Sequence, residues 1–312
     1  MTDVHSGERI AVTGATGFVG QILVEQLATC GYQVVGISES TEPPPRIARR
    51  LTEFYSADLV NGWPKIENLS GLVHLAGLAA VGPSFERPQE YITVNSAMVT
   101  HLFEHALASR WQGRAIVVSS GAVYGGAANY SGFTEDSPLA ATSPYVVSKL
   151  LVESQTEYYR RRGVDALLVR PFNHIGPGQR GGFVVPDLVA KVAECRPGTE
   201  LPVGNLGAAR DYTDVRDIAS AYQALLELPA PRYSTYNVCS GTARSGWEIL
   251  EAVCASLGKP VPRAVVTDRR AIDPSVVTGN AERLALETGW QPTIKLQTSI
   301  DDFARGCQVD GG

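Results

Sequence analysis

The stretch TGATGFVG, Thr13 to Gly20, decides how this chain is read. The apolar run RIAVT at 9–13 leads into it with the length of a buried strand, and behind it Val19, Ile22, Leu23 and Leu27 recur at helical spacing. Gly14, Gly17 and Gly20 therefore stand where a strand turns into a helix. Glycine at such a turn lets the backbone reverse tightly and brings the first amides of the helix up to a pyrophosphate. A glycine triplet alone is weak evidence, and a merely structural glycine turn is the competing reading. The strand before and the helix after are what favour the phosphate cradle. Gly31 ends the helix and QVVGI at 33–37 supplies a second strand, closing a βαβ unit of about 30 residues.

Further apolar runs follow at 72–76 (LVHLA), 115–118 (AIVV) and 166–169 (ALLV), separated by helical patterns over 89–109 and 144–162. Strands alternating with helices predict an α/β fold with a doubly wound parallel sheet. After Arg170 the texture changes to the Gly/Pro-rich PFNHIGPGQRGGF, with a predicted helix over 184–195, a second over 212–228 with an aspartate start signal, and a strand over 236–241 returning to the sheet. The expected organisation is a cofactor domain of residues 1–172 and 211–240 and a smaller, discontinuous α/β domain of 173–210 and 241–312. At roughly one domain per ~150 residues, 312 residues accommodate this division.

Composition excludes several function classes. With 44% hydrophobic and 19% charged residues the chain is globular, and its apolar runs fall short of the ~18 residues of a membrane helix. The net charge of −5 and the absence of a basic block beyond Arg160 to Arg162 give no support to nucleic-acid binding. Five scattered cysteines offer no metal-site spacing and are expected to be reduced thiols. The opening MTDVHSGERI lacks a basic stretch followed by an apolar core, so a cytoplasmic location is expected.

The chemistry centres on SPYVVSK, which sets Tyr145 and Lys149 four residues apart on one helix face. A phenol titrating near ~10 transfers protons poorly at neutral pH, and a neighbouring ammonium favours its phenolate. Tyr and Lys at this spacing are common on helices, so the pair gains weight only with the glycine motif upstream.

TGATGFVG together with the Tyr145/Lys149 pair and VVSSGAVYG resembles the extended short-chain dehydrogenase/reductases, the sugar nucleotide epimerase/dehydratase family. The resemblance runs from residue 9 to about residue 300. It implies a Rossmann sheet, NAD(H) or NADP(H) as cofactor, and Ser120, Tyr145 and Lys149 as catalytic residues. It further implies cofactor contacts at Gly14, Thr16, Gly17, Phe18, Val19, Ser38, Glu39, Asp58, Leu59, Leu75, Ala76, Gly77, Asn95, Ser119, Pro171 and Phe172, besides Tyr145 and Lys149. Ser38 leaves room for a 2′-phosphate whereas Glu39 suits a free ribose, so the choice of coenzyme stays open. Asp58 reads almost equally as a loop cap, and His74 as a packed strand histidine.

The segment RPFNHIGPGQ at 170–179 is similar to that of GDP-4-keto-6-deoxymannose reductases, and RDYTDVRD and DRRAIDPSVVTGNAERLALETGWQP continue the match. On the substrate side this implies Ser84, Gly121, Ala122, Asn173, Arg210 and Arg270. Ala271 and Ile272 replace the usual Pro and Gly, which leaves Arg269 and Arg270 as competing diphosphate clamps. Dehydratases of the family carry acidic residues where this chain has Gly121 and Ala122, so water elimination lacks its acid and base. The expected activity is 4-ketoreduction of a nucleotide-diphosphate 4-keto-6-deoxyhexose. A sugar nucleotide 4-epimerase is the alternative, and a noncatalytic dinucleotide sensor a remote third. A homodimer through the helices around 90–109 and 144–162 is expected by analogy, with neither metal, nucleic acid nor membrane as partner.

Overall fold

The computed structural model describes residues 7–125, 132–196, 198–267 and 275–309. Its strands are β1 (Arg9–Thr13), β2 (Gln33–Ser38), β3 (Leu51–Ser56), β4 (Gly71–His74), β5 (Arg114–Val118), β6 (Ala166–Pro171), β7 (Asn173–Ile175), β8 (Glu200–Val203), β9 (Ala209–Asp214), β10 (Thr235–Val238), β11 (Ala243–Ser245), β12 (Arg263–Val266) and β13 (Val276–Val277). The helices are α1 (Phe18–Thr29), α2 (Pro45–Ala48), α3 (Val81–Ser84), α4 (Pro88–Ala108), α5 (Pro144–Arg161), α6 (Val184–Glu194), α7 (Val215–Glu227), α8 (Gly246–Ser256), α9 (Glu282–Thr288) and α10 (Leu296–Val309).

Seven strands form one sheet in the order β10-β6-β5-β4-β1-β2-β3, every neighbouring pair parallel. The order reverses direction between β1 and β4, the point at which doubly wound sheets open a crevice at the carboxyl ends of their strands. Such strands are buried on both faces and so read as unbroken apolar runs. Ile10, Val12 and Val34 pack with α1 and α7 on one face, and Ala11, Val35 and Leu72 with α4 and α5 on the other. This is the doubly wound α/β fold expected.

A separate core gathers Ile175, α6, α8 and Ile300 of α10. A small sheet runs β11-β9-β13 with β7 paired to β9, and β8 pairs with β12.

The boundaries differ from the expected ones in two places. Residues 211–214, expected in the cofactor domain and at the start of a helix, complete β9 of the small sheet. The helix begins at Val215, after the Asp214 carboxylate has accepted the amide of Arg216 at 2.8 Å. Conversely, Leu284 and Trp290, expected in the smaller domain, pack into the core under α1 and α7, and the indole of Trp290 donates to the Asp217 carbonyl at 3.0 Å.

Candidate active site

The glycine turn closes onto the sheet at the switch point. Gly14 has φ +65°, and a Cβ there would sit 3.0 Å from the amide nitrogen of Ala76. At Gly20 a Cβ would fall 2.1 Å from the Gly14 carbonyl oxygen, so a side chain would push the first turn of α1 off the loop. Gly17 caps α1 with no side chain, and no acidic residue stands in the first turn, which leaves the amides there suited to an anion. These residues fit the pyrophosphate of a dinucleotide. Phe18 stacks on the His174 ring at 6.0 Å between centroids, tying the turn to β7.

Thr13, at the end of β1, organises the facing end of β4. Its hydroxyl accepts the amides of Leu75 and Ala76 at 3.0 and 3.1 Å. Both lone pairs are then used, so its proton points at Nδ1 of His74, 2.9 Å away. His74 is thereby a neutral imidazole protonated on Nε2. Burial pushes its pKa down to about 3, with the Lys149 charge adding to the same effect. The packed strand histidine read from the sequence is what the structure shows.

At the far end of this edge, Ser38 and Ser40 converge on the Thr16 hydroxyl at 2.7 and 3.1 Å, while Glu39 is exposed. Asp58 accepts the amide of Val60 at 2.9 Å and the side chain of Asn61 at 2.5 Å, and so acts as a loop cap; Leu59 beside it is buried.

The catalytic candidates converge beyond β5 and on α5. Ser143 caps α5 by accepting the amide of Val146 at 3.2 Å, and Pro144 fills the first turn, so Tyr145 and Lys149 start a rigid helix. Tyr145 is buried with its ring edge-on to Tyr91 at 6.5 Å. Burial raises its pKa, and the hydrogen bond with Ser120 pulls the other way. Ser120 Oγ also accepts the amide of Ala122 at 3.1 Å. Lys149 Nζ lies 6.0 Å from the Tyr145 ring centroid and donates to the Val118 carbonyl at 2.8 Å.

The ammonium is thereby turned to the end of β5, with the phenol ring beside it. Burial lowers the pKa of Lys149 to about 8, against the opposing influence of Glu153.

Asn95 and Ser119 hold the surroundings instead of lining the crevice with free polar groups. Asn95 accepts the Leu78 amide at 2.8 Å and donates to the Ser148 hydroxyl at 2.9 Å, fixing the loop after β4 to α5. The Asn95 Oδ1 atom lies 3.0 Å from where a Cβ on Gly77 would stand. The Ser119 hydroxyl donates inward to Glu153 Oε1 at 2.6 Å. Pro171 and Phe172 are buried behind them, and the Phe172 ring comes within 2.8 Å of a Cβ built on Gly121. A carboxylate at position 121 is therefore excluded by packing as well as absent from the sequence.

On the opposite side, Asn173 is exposed at the start of β7, in register with Tyr212 of β9. Arg210 lies on β9 beside it and donates to the Ala209 carbonyl at 2.9 Å. Ser84 is fully buried and its hydroxyl donates to the Val81 carbonyl at 2.6 Å, so the substrate-facing role expected for it gives way to pinning α3. Arg269 and Arg270 lie outside the described residues.

Asp211 went unnoticed in the sequence. Its buried carboxylate accepts the amides of Ser240 and Gly241, each at 2.8 Å, and joins the small sheet to the end of β10. Among the described residues no group of His, Cys, Asp and Glu could hold a metal ion, and no helix is long and apolar enough to cross a membrane.

Comparison with known proteins agrees with this geometry. GDP-6-deoxy-D-mannose reductase of Pseudomonas aeruginosa is 32% identical over 300 residues, 94% of this chain and 95% of the relative. UDP-glucose 4-epimerase of Corynebacterium glutamicum is 29% identical over 313 residues, 94% of each. The solved structure of RMD from Pseudomonas aeruginosa complexed with NADPH matches with a TM-score of 0.83 at 30% identity, covering 97% of this chain and 99% of that one. With the model of the NAD dependent epimerase/dehydratase family matched over residues 10–239, a span that contains the glycine turn, Ser120, Tyr145 and Lys149, the chain belongs to that family.

Proposed function

We propose that this NAD(P)-dependent sugar-nucleotide enzyme reduces the 4-keto group of a nucleotide-diphosphate 4-keto-6-deoxyhexose. One observation carries the reading: Ser120 stands beside the Tyr145–Lys149 pair of α5, while Gly121 and Ala122 bring no carboxylate and the Phe172 ring packs where a side chain at Gly121 would stand, so the residues present suit proton exchange at a carbonyl and not elimination. The likeness to GDP-6-deoxy-D-mannose reductase supports the substrate class.

A bound nicotinamide would supply hydride, the one chemistry that side chains here lack. Gly14, Gly17 and Gly20 would hold its pyrophosphate, and Lys149 its ribose. The residues do the rest. Ser120 donates a hydrogen bond to the carbonyl oxygen, Tyr145 delivers its proton there as charge develops, and the Lys149 ammonium keeps the phenolate left behind from recapturing it. Asn173, Arg210 and Arg270 would grip the diphosphate, for which a guanidinium offers paired donors.

The likeness to UDP-glucose 4-epimerase favours the second reading, 4-epimerisation. Following substrate and product by chromatography together with coenzyme absorbance separates the two. Ketoreduction requires one NAD(P)H consumed per product, and stereoisomer formation without net consumption overturns it.

The working form proposed is a homodimer through α4 and α5. Val147, Leu151 and Tyr158 of α5 are exposed apolar residues, while Tyr145, Lys149 and Glu153 of the same helix are buried. Light scattering giving a monomer mass would refute it.

A further inference from the structure

We propose that Glu153 is a positioning residue that keeps Lys149 charged, with Arg170 and Ser119 holding its carboxylate in place. The inference rests on the reading of Tyr145 and Lys149 as the working pair. Tyr145, Lys149 and Glu153 stand at successive four-residue steps of α5, so their side chains form one row, with Lys149 between phenol and carboxylate. Lys149 and Glu153 are each only 7% exposed. The acceptor that the ammonium meets, the Val118 carbonyl, carries no net charge. A buried ammonium with neutral partners tends to lose its proton. Glu153 is the charge that opposes this.

The carboxylate is itself held from the side away from Lys149. Arg170 Nε and Nη2 approach its two oxygens at 2.9 and 2.7 Å, and the Ser119 hydroxyl adds a third bond at 2.6 Å. Arg170 is in turn anchored on its far side. Its Nη1 donates to the Tyr124 hydroxyl at 2.9 Å and to the Glu135 carbonyl at 3.1 Å. Tyr124 then donates to Asn237 of β10 at 2.6 Å, and Glu135 accepts the Asn237 amide at 2.7 Å. The network thus runs from α5 across the ends of β5 and β6 to β10.

The groups facing Lys149 are Tyr145 and Glu153 of its own helix and neutral His74 of β4, with Tyr91 of α4 packed against Tyr145. Beyond Glu153 stands Arg170, and beyond that Glu135 with Arg283 at 3.5 Å.

The competing reading is a purely structural Glu153–Arg170 pair. The test is a pH titration of the full chain carrying ¹³C-labelled lysine. Lys149 is one of five lysines and is assigned with Lys149→Arg. Three variants are compared with the wild type: Glu153→Gln, Glu153→Asp, and the double variant Glu153→Gln with Arg170→Met. The double variant removes both buried charges at similar volume and so preserves folding where the single substitution would strand Arg170.

The expected result is a Lys149 midpoint lowered by about one pH unit, a tenfold loss of proton affinity, in Glu153→Gln, a smaller fall in the double variant because the Arg170 charge leaves with that of Glu153, and a midpoint close to wild type in Glu153→Asp. The basic limb of the activity profile moves to lower pH by the same amount. An unchanged Lys149 midpoint in folded Glu153→Gln, or a midpoint raised above wild type in the double variant, overturns the proposal. The titration needs no substrate: a shifted midpoint in a protein without ketoreductase activity defeats the proposed function alone, and an unshifted midpoint with intact activity defeats this inference alone.

Discussion

On the side of the crevice formed by the seven-stranded sheet, Thr13, Asn95 and Glu153 are buried and each is held by more than one partner. Thr13 bonds two amides and His74, Asn95 bonds Leu78 and Ser148, and Glu153 bonds Arg170 and Ser119. On the side formed by the small sheet, Asn173 is exposed and Arg210 is half-buried. Buried, multiply bonded groups have one arrangement, because any other leaves a polar atom unsatisfied at a cost of ~1–3 kcal/mol. The groups around Tyr145 and Lys149 are therefore held in one arrangement by the fold, whereas Asn173 and Arg210 stand near the starts of β7 and β9.

The comparison predicts a gradient of effects. Tyr145→Phe removes the proton donor and leaves the packing of its ring, so kcat falls about 10²–10⁴-fold with coenzyme affinity retained, as steady-state rates and fluorescence titration with NAD(P)H would show. A loss below tenfold would mean that the sheet side does not carry the chemistry. Gly20→Ala forces its Cβ against the Gly14 carbonyl and costs about 3 kcal/mol of stability together with coenzyme binding, measured by denaturant unfolding and by the loss of a thermal shift with NAD(P)H.

His74 gives a pH signature. Its folded pKa of about 3 lies below the ordinary 6.5, so between these values the unfolded chain binds a proton that the folded one refuses. Stability from this group is complete above pH 6.5 and is lost as pH falls, by about 2 kcal/mol at pH 5. His74→Gln should flatten that slope, and an unchanged slope would place the acid sensitivity elsewhere.

Smallest is Arg210→Met on the substrate side, which should raise KM for the nucleotide sugar about tenfold with kcat unchanged. A fall in kcat instead would show that the small sheet also aligns the reacting carbon.

Much of the site was legible because it obeys local rules. The glycines of TGATGFVG answer to the geometry of one turn, and Tyr145 and Lys149 to the period of one helix. Glu153 continues that same period and could have been found by extending the row one step further. Its meaning could not, since it depends on Arg170, 17 residues away on another strand. Ser84 looked like a substrate contact by its place in the pattern, but burial turned it to Val81. The boundaries at β9 and at Trp290 were missed for a related reason. Tyr212 to Asp214 continue smoothly into a helix in sequence, and only pairing with β7 makes them a strand.

The sequence by itself determined the parallel α/β sheet, the glycine turn between β1 and α1 and the shared face of Tyr145 and Lys149, because backbone sterics and helical or strand periodicity act over a few residues. Tertiary structure alone decided which group tunes which. The Lys149 ammonium turns to the Val118 carbonyl, His74 stays neutral, and Tyr124 reaches Asn237 across 113 residues of chain. Charge and protonation inside a protein depend on what is excluded from water and what faces it there, and that is set by contacts between residues that the sequence keeps far apart.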